Sequence, residues 1–306
     1  MKDLCKDLCK LIVPALTPAL HKGQAGRIGI VGGCEEYTGA PYFAGIAALR
    51  LGADLVHIMC TPSAAIPIKS YCPDLMVMPI LCKEKAPQFS NWIKRLHCVV
   101  IGPGLGRDPE TKDIVSKWIE IIKEQNIPVI IDADGLHLIT EQPHLIKGYK
   151  DAILTPNIAE FSRLFHAMNS EQPQKPILMP SDISTLSKVL ECTIVCKGKV
   201  DKISTNGITV ECDVEGSNRR VGGQGDLLSG ALGLFAHWAK DSKDSLPCYI
   251  PYQNVAAYAA CAVVKRSNYE GFHHVKSDKL SRGRSMITSD MVEHLNKAFS
   301  DVFGRG

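Results

Sequence analysis

The fold of this chain can be worked out from residues 97–135, HCVVIGPGLGRDPETKDIVSKWIEIIKEQNIPVIIDADG. The first part, HCVVIGPGLGRD (97–108), is a buried strand followed by a glycine loop. A helix is predicted over 110–126, because apolar residues recur there at helical spacing: Ile114, Val115, Trp118, Ile121 and Ile122. Pro128 separates this helix from VIIDADG (129–135), which is a second strand that ends in two aspartates. The stretch therefore predicts a βαβ unit with parallel strands.

The same alternation continues on both sides of this unit. It predicts further strands at 26–33, 55–60, 75–81, 152–157 and 192–198, and a hairpin that turns at Asn206-Gly207. It predicts helices at 41–54, 158–168, 226–240, 254–267 and 288–303, the last with Thr288 or Ser289 as its cap. This order is typical of an α/β protein with a mostly parallel sheet, which binds ligands at the carboxyl ends of its strands. We expect one domain over residues 1–306, with residues 1–10 as a candidate flexible N-terminal segment.

Composition excludes several classes of protein. The chain has 306 residues, of which 45% are hydrophobic and 22% charged, as is ordinary for a globular protein. A net charge of +3 without a long basic run gives no reason to expect nucleic-acid binding. The twelve cysteines are too sparse for a disulfide scaffold, and the isolated pair Cys5 and Cys9 lacks the second half of a zinc site. We interpret most of them as core residues of a reduced protein.

The N-terminal region predicts neither secretion nor membrane insertion. No apolar segment of signal-peptide type follows the first basic residues, and LIVPALTPAL (11–20) is too short and too rich in proline to span a membrane. The repeat KDLCKDLC (2–9) carries acids as well as lysines, which is atypical of a transit peptide. We therefore expect a cytoplasmic protein, with a mitochondrial location left open.

Glycine or acid clusters follow the predicted strands at 32–39, 102–108, 132–135 and 222–226. GPGLG (102–106) lacks the G-x-G-x-x-G spacing of dinucleotide-binding folds, so it is either a ligand loop or a structural turn. No G-x4-G-K-[ST] motif occurs, which excludes a standard P-loop nucleoside triphosphatase. DADG (132–135) offers carboxylates to a metal or substrate, or forms a turn in which aspartates bond the backbone.

Two further clusters have a structural and a functional reading. Asn157 and Glu160 have the spacing of a helix capping box, and they could also meet a ligand. Lys197 and Lys199 lie near a strand end, where a lysine could meet a phosphate. The basic segment 273–284 is either a solvated loop or a lid that faces an anion, and 168–182 is predicted to be a loop.

RRVGGQGDLLSG (219–230) is the sharpest signal. Consecutive glycines can direct their N–H groups to one point, and the helix that follows adds the positive end of its dipole. Asp226 would suit the first turn of that helix as a cap, but a cap does not require the three glycines beside it. With Arg219 and Arg220 close by, the pattern favours an anion site that contains a base.

Taken together, these motifs resemble one family. EYTGAPYFAGIAALRLGADLVH, GPGLGRD, IPVIIDADGLHLI, LTPNIAEFSRL, KGKVD and RRVGGQGDLLSG occur in the order found in the ATP-dependent (S)-NAD(P)H-hydrate dehydratases of the ribokinase-like superfamily. The likeness spans roughly residues 10–300 and leaves out 168–182 and the first ten residues. The form GGQGD resembles the ATP-using branch, and Val221 stands where cysteine is expected in relatives.

The resemblance implies a single three-layer α/β/α domain and a lyase that repairs damaged NADH or NADPH. The enzyme would dehydrate the S-epimer of the hydrated cofactor at the expense of ATP, releasing ADP and phosphate, with Mg²⁺ accompanying ATP. Asp226 would be the catalytic base. The magnesium ligands are unassigned, with water-mediated contact near Asn157 and Glu160 as a candidate. The partners are thus ATP and the hydrated dinucleotide, and a homo-oligomer is left open.

By position in the motifs, the resemblance also implies two sets of contacts. ATP would contact Lys197, Gly198, Lys199, Val200, Asp201, Gly216, Ser217, Asn218, Arg219, Arg220, Val221, Gly222, Gly223, Gln224 and Gly225. The hydrated dinucleotide would contact Gly104, Asn157, Ile158, Ala159, Glu160, Phe161, Ser162, Arg163 and Asp226. The alternatives are a ribokinase-like kinase of small-molecule hydroxyls and a nucleotide-binding protein without catalysis. The carboxylate of Asp226 argues against a pure binder.

Overall fold

The computed structural model describes residues 2–19, 21–168, 180–275 and 281–304. The described residues form one sheet of nine strands: β1 Arg27–Val31, β2 Leu55–Met59, β3 Met76–Met78, β4 Cys98–Ile101, β5 Val129–Ile131, β6 Ala152–Leu154, β7 Thr193–Cys196, β8 Asp201–Thr205 and β9 Ile208–Cys212. The helices are α1 Lys2–Ile12, α2 Gly39–Arg50, α3 Pro62–Tyr71, α4 Phe89–Ile93, α5 Pro109–Glu124, α6 Ala133–Glu141, α7 Ile158–Met168, α8 Pro180–Leu190, α9 Gln224–Asp241, α10 Tyr252–His273, α11 Thr288–Glu293 and α12 Leu295–Phe303.

The sheet is mostly parallel, as predicted. Its strand order is β3-β2-β1-β4-β5-β6-β7-β8-β9, and every pairing from β3 to β7 is parallel. The last three strands are antiparallel, and β8 and β9 are joined at Asn206 and Gly207, whose φ angles are 47° and 84°. Positive φ at both positions is what a two-residue hairpin turn requires, so the hairpin prediction is confirmed.

Two separate apolar cores cover the two faces of the sheet. In β4, Cys98 and Val100 belong to the core shared with α2, α9 and α10, whereas Val99 and Ile101 belong to the core shared with α5 and α6. Alternate residues of a strand point to opposite faces, so a strand buried on both sides needs an uninterrupted apolar run. The predicted α/β/α sandwich with three layers is therefore confirmed.

Helix α9 is the central helix of one layer, and α2 crosses it at very short range. A Cβ atom added to Gly230 would lie 1.9 Å from the carbonyl oxygen of Ala44, so the two backbones are in direct contact. Every residue of α9 from Leu227 to Ala239 is buried. This packing fixes the start of α9 at the carboxyl edge of the sheet, beside the loops that follow the central strands.

At the opposite edge of the sheet, a hydrogen-bonded chain joins two histidines. Arg27 Nη2 lies 2.9 Å from His97 Nε2, His97 Nδ1 lies 3.1 Å from His237 Nε2, and His237 Nδ1 lies 3.5 Å from Asp241 Oδ2. Since the guanidinium can only donate, each histidine is placed to be neutral with its proton on Nδ1. Burial, His237 and Arg27 lower the pKa of His97 to about 4.

Three predictions about local structure require correction. Residues Lys2–Ile12 form a helix instead of a flexible segment, because Cys5, Cys9 and Ile12 recur on one face and are buried in the core that α10 shares. The predicted helix 288–303 divides at His294, whose N–H bonds the Met291 carbonyl three residues back. The strand predicted at 75–81 is only Met76–Met78.

The other predictions outside the site have mixed outcomes. The cap of α11 is provided by Ile287 and Asp290, and the Thr288 hydroxyl donates instead to the Gly222 carbonyl. The loop predicted at 168–182 lies outside the described residues over 169–179, and Pro180 begins α8. Residues 276–280 of the basic segment 273–284 also lie outside the described residues. Within the described part of that segment, Arg282 pairs with Asp290 and Glu293 of α11.

The thiols agree with the interpretation of the cysteines as core residues. All twelve are free, and nine of them are buried. In the part of the chain that the structure describes, no helix is long and apolar enough to cross a membrane. The same residues contain no cluster of three or more His, Cys, Asp or Glu side chains arranged to hold a metal ion.

Candidate active site at the carboxyl edge of the sheet

Loops that follow four parallel strands meet at the carboxyl edge of the sheet, in front of the first turn of α9. They are residues 102–106 after β4, Asp132 after β5, residues 155–157 after β6 and Lys197 after β7. Because β4, β5, β6 and β7 are neighbours in the sheet, their ends lie side by side. The sequence motifs at 102–108, 132–135, 155–161 and 197–201 are therefore brought to one place.

The glycine loop after β4 has structural reasons for its glycines. Gly102 has a φ of 123°, and a Cβ there would lie 1.8 Å from the carbonyl oxygen of Asp132. Gly104 has a φ of 61° and is buried, and its carbonyl accepts a hydrogen bond of 3.0 Å from the Gly33 N–H. The loop therefore joins the ends of β1, β4 and β5, and a substrate contact at Gly104 would be limited to its backbone.

The two aspartates of DADG have different partners. Asp134 accepts hydrogen bonds from the Gly106 N–H and from Arg107 Nε, both at 3.1 Å, as the turn interpretation predicts. Asp132 is 2% exposed and receives a hydrogen bond of 2.8 Å from Lys197 Nζ. Glu160 Oε2 lies 4.0 Å from the same ammonium. Asp132 thus belongs to a charged cluster inside the site, although the sequence left its role open.

Lys197 keeps its charge in this cluster. Desolvation disfavours the ammonium, but the charges of Asp132 and Glu160 outweigh it, so the pKa of Lys197 is raised. Its side chain is 21% exposed and can therefore still reach a ligand. Lys197 is one of the two lysines of KGKVD, with Lys199, for which the sequence left contact with a phosphate open.

The opening turn of α9 carries Asp226, the acid of the motif RRVGGQGDLLSG. The helix begins at Gln224, after Gly223 with a φ of 94°, and Asp226 lies in its first turn. No side-chain cap forms there, and no hydrogen bond joins the Asp226 carboxylate to any residue that the structure describes. Burial and the nearby Asp132 raise the pKa of Asp226 to about 7, against an opposing effect of Lys197. These features favour a base over a cap.

Asn157 and Glu160 form the capping box that their spacing predicts. The Asn157 N–H donates to Glu160 Oε2 at 2.7 Å, and the Glu160 N–H donates to Asn157 Oδ1 at 2.9 Å. Asn157 is nevertheless exposed, and so are Ile158 and Arg163 along the first turns of α7. Phe161 differs from them, because its side chain is fully buried.

A lysine of α10 holds the loop KGKVD (197–201) in its conformation. Lys265 Nζ donates to the carbonyls of Gly198 at 3.1 Å and Lys199 at 2.7 Å, and lies 3.4 Å from Asp201 Oδ2. Asp201 also accepts a hydrogen bond of 2.8 Å from the Gly198 N–H and is 5% exposed. Its carboxylate therefore holds the loop together, and contact of this residue with ATP stays a prediction.

One turn further along α10, Asn268 holds the loop that leads into α9. Its Oδ1 accepts the Ser217 N–H at 2.5 Å, and its Nδ2 donates to the Arg219 carbonyl at 3.2 Å. The hydroxyl of Thr288 bonds the Gly222 carbonyl from the other side. Both predicted ATP segments, 197–201 and 216–225, are thus fixed by α10 and α11.

No sequence motif predicted that Lys265, Asn268 or Thr288 belongs to the site. A signal for the first two was present, because Lys265 and Asn268, three residues apart, directly follow the apolar run 255–264 of α10. Both side chains are almost fully buried. Polar groups at such positions need partners, and here the partners are loop backbone atoms.

Known proteins are similar to this chain along most of its length. A family model described as NAD(P)H-hydrate dehydratase matches residues 28–279. The chain belongs to the NAD(P)H-hydrate dehydratase family. It is 47% identical over 285 residues to the ATP-dependent (S)-NAD(P)H-hydrate dehydratase of Danio rerio, a match that covers 92% of this chain and 84% of that protein. The Homo sapiens protein of the same name is 46% identical over 295 residues, covering 92% and 80%.

Solved structures confirm the ribokinase-like fold. A ribokinase-like superfamily protein from Enterococcus faecalis superimposes with a TM-score of 0.75 at 21% identity, covering 98% of this chain and 95% of that one. The ADP/ATP-dependent NAD(P)H-hydrate dehydratase from Bacillus subtilis, co-crystallised with ATP/Mg²⁺, gives a TM-score of 0.65 at 19% identity, covering 96% and 97%. The family and fold implied by the sequence motifs are both confirmed.

Proposed function

We propose that this chain, as a member of the NAD(P)H-hydrate dehydratase family, dehydrates the S-epimer of hydrated NADH or NADPH with consumption of ATP. The observation that supports the chemistry best is Asp226, a half-buried carboxylate without a hydrogen-bond partner among the described residues, at the start of α9. Its pKa of about 7 suits a group that accepts a proton near neutral pH. The names of the related proteins supply the substrate class.

The reaction follows from the leaving group. Hydroxide leaves the hydrated nicotinamide ring poorly, whereas phosphate leaves well. Asp226 takes the proton of the ring hydroxyl, whose oxygen forms a bond to the γ-phosphorus as the bond between that phosphorus and ADP breaks. The lone pair of the ring nitrogen then expels phosphate, and loss of a proton from the adjacent carbon restores the double bond. ATP and the hydrate thus yield ADP, phosphate and NADH or NADPH.

The phosphate groups have a built environment at the start of α9. Gly222 is exposed, with open space where a Cβ would stand, so a ligand can approach its backbone. The free N–H groups of the first turn and the helix dipole favour negative charge there. The ammonium of Lys197 lies beside this turn and would stabilise charge that develops during transfer.

The residues of the site fit a magnesium ion that is bound through ATP and water better than one that is coordinated by protein side chains alone. Asn157 and Glu160 already use one oxygen each in the capping box, which leaves lone pairs to accept hydrogen bonds from metal-bound water. Mg²⁺ commonly keeps several waters and binds substrate phosphates. When bound, it would neutralise charge on the β- and γ-phosphates. This assignment is supported by the related protein that was co-crystallised with ATP/Mg²⁺.

The contact sets predicted from the motifs are retained as proposals. ATP would lie along 197–201 and 216–225, and the hydrated dinucleotide along 157–163, near Gly104 and Asp226. This arrangement is supported by the convergence of both segments in front of α9. It places the reacting hydroxyl between Asp226 and the γ-phosphate.

The test is turnover of hydrated NADPH with ATP and Mg²⁺, followed by near-ultraviolet absorbance of the dihydropyridine and by assay of ADP and phosphate. We expect recovery of NADPH with one ADP and one phosphate for each hydrate consumed. Asp226→Asn should lower kcat by about 10²–10⁴-fold while ATP still binds. Asp244→Asn, in the exposed turn beyond the far end of α9, is the matched control and should keep full activity.

Other outcomes would contradict the proposal. A stable phosphorylated product without recovery of NADPH would indicate a hydroxyl kinase. Turnover by Asp226→Asn at the parent rate would remove Asp226 as the base.

A further inference from the structure

The charged cluster beneath α9 contains a carboxylate, that of Asp132, to which the proposed reaction gives no role. Asp132 ends β5 and Lys197 ends β7, two strands away, and the hydrogen bond of 2.8 Å between them spans the end of β6. A Cβ atom added to Gly225 would lie 3.5 Å from Lys197 Nζ and 3.8 Å from Asp132 Oδ2. The first turn of α9, which carries Asp226, therefore rests on this ion pair.

Stability does not explain why a charged pair occupies this place. Removing two charges from water costs several kcal/mol for each ion, so a buried ion pair is often no more stabilising than apolar residues of the same volume. Asp132 is 2% exposed, whereas its partner Lys197 is 21% exposed on the side of the site. The buried carboxylate thus fixes the stem of a lysine whose charge faces the ligand region.

We propose that Asp132 is a positioning residue for the reaction: it holds the Lys197 ammonium under Gly225, beside Asp226 and the place of the transferred phosphoryl group. This inference rests on the proposed function. A lysine side chain is flexible, so its charge stays in one position without ligand only if carboxylates such as Asp132 and Glu160 hold the ammonium. Glu160 Oε2, at 4.0 Å from Nζ, is the weaker of the two anchors.

The two members of the pair act on Asp226 in opposite directions. Burial is the largest cause of its raised pKa, Asp132 raises it further, and Lys197 lowers it. Asp132→Asn removes a negative charge and leaves Lys197 free to approach Asp226, so the pKa of Asp226 should fall. Lys197→Met removes the ammonium that opposes the effect of Asp132 on Asp226, so that pKa should rise. Glu160 is the third charged group of the cluster and is unchanged in both variants.

A merely structural role would not produce such opposite shifts. The measurement is the titration of Asp226 by carbon NMR of the protein labelled at aspartate carboxylates, assigned with Asp226→Asn. It requires no turnover and no ligand, so it remains informative if the proposed reaction fails. The acid limb of kcat against pH, at saturating ATP and hydrated NADPH, is the second readout. Near pH 6 we expect the two variants to differ from the parent by about threefold or more in opposite directions, each as a fraction of its own maximal rate.

Asp134→Asn is the matched control, because Asp134 lies in the same DADG turn but bonds Gly106 and Arg107 instead of Lys197. It should leave the titration of Asp226 unchanged. Lys197→Arg keeps the charge and should restore a titration close to that of the parent, which also covers the case that Lys197→Met folds poorly. Shifts in the same direction for Asp132→Asn and Lys197→Met, or no shift in either, would overturn the inference.

If the titration shifts as expected but no hydrate is consumed by the parent protein, the proposed function fails and the positioning of Lys197 beside Asp226 stands. If hydrate is consumed and the titration does not shift, the proposed function stands and the positioning role of Asp132 fails. The two proposals can therefore be separated.

Discussion

Lys265→Met tests whether α10 holds the loop 197–201, where we propose that ATP binds, through a buried charge. The change removes the ammonium and keeps an unbranched apolar side chain in its place. Three groups then lose their partner: the carbonyls of Gly198 and Lys199 and the carboxylate of Asp201. Breaking a buried ion pair at one partner typically costs about 3–5 kcal/mol, because the other charge is left uncompensated. We expect the free energy of unfolding at pH 8 to fall by that amount.

The loss should depend on pH. Burial raises the pKa of Asp201 above its ordinary value, against the opposing effect of Lys265, so removing the lysine raises that pKa further. A carboxyl group whose pKa is higher in the folded than in the unfolded state destabilises the fold as the pH rises through its folded pKa. The deficit of Lys265→Met should therefore be smaller at pH 5 than at pH 8. Asp201→Asn, added to Lys265→Met, should recover much of it.

The assay is urea unfolding followed by tryptophan fluorescence, together with the KM for ATP. Because the loop 197–201 loses its support, we expect the KM for ATP to rise more than kcat falls. Lys240→Met is the control: Lys240 also bonds a carbonyl and a carboxylate, those of Asn126 and Asp151, but it is 28% exposed and lies far from the loop. It should cost less stability and leave the KM for ATP unchanged. A Lys265→Met protein within about 0.5 kcal/mol of the parent at pH 8 would refute the reasoning.

Two further predictions concern the fold. Gly230→Ala must push α2 away from α9, so the free energy of unfolding measured in urea should fall by about 1–3 kcal/mol, although alanine is the better helix former. Gly39→Ala is the control and should not destabilise, because the nearest atom to its added Cβ is 4.0 Å away. Equal stabilities of the two variants would contradict this packing. The pKa of His97 is about 4 in the folded state, below its unfolded value, so stability should decline as pH falls from about 6.5 to 4. His97→Gln should flatten that decline, and an unchanged slope would exclude His97 as its source.

Local pattern was sufficient for most elements of the fold. Apolar residues repeat at helical spacing from Ile114 to Ile122, and that helix is found; β4 is an unbroken apolar run, as a strand buried on both faces must be. The failures occur where local pattern competes with packing. The repeat at the N-terminus has an amphipathic face that is buried only by packing against the core that α10 shares. The last predicted helix breaks at His294, between α11 and α12.

The site was predictable to the extent that turn chemistry marks it. Glycines and acids after strands indicated the correct edge of the sheet, and N-x-x-E gave the capping box that the structure shows. The sequence could not decide between the two aspartates of DADG, because both have the same local context. Only the structure gives Asp134 to the turn and Asp132 to Lys197.

The sequence by itself determined the alternation of strands and helices, the glycine turns and the position of a carboxylate at the start of α9, because each depends on residues within a few positions of one another. The tertiary structure alone decided which charges meet. Asp132 and Lys197 are 65 residues apart, and Lys265 is 66 and 67 residues from the carbonyls that it holds. Such contacts depend on the order of strands in the sheet and on how α10 packs against it, and no local periodicity records either.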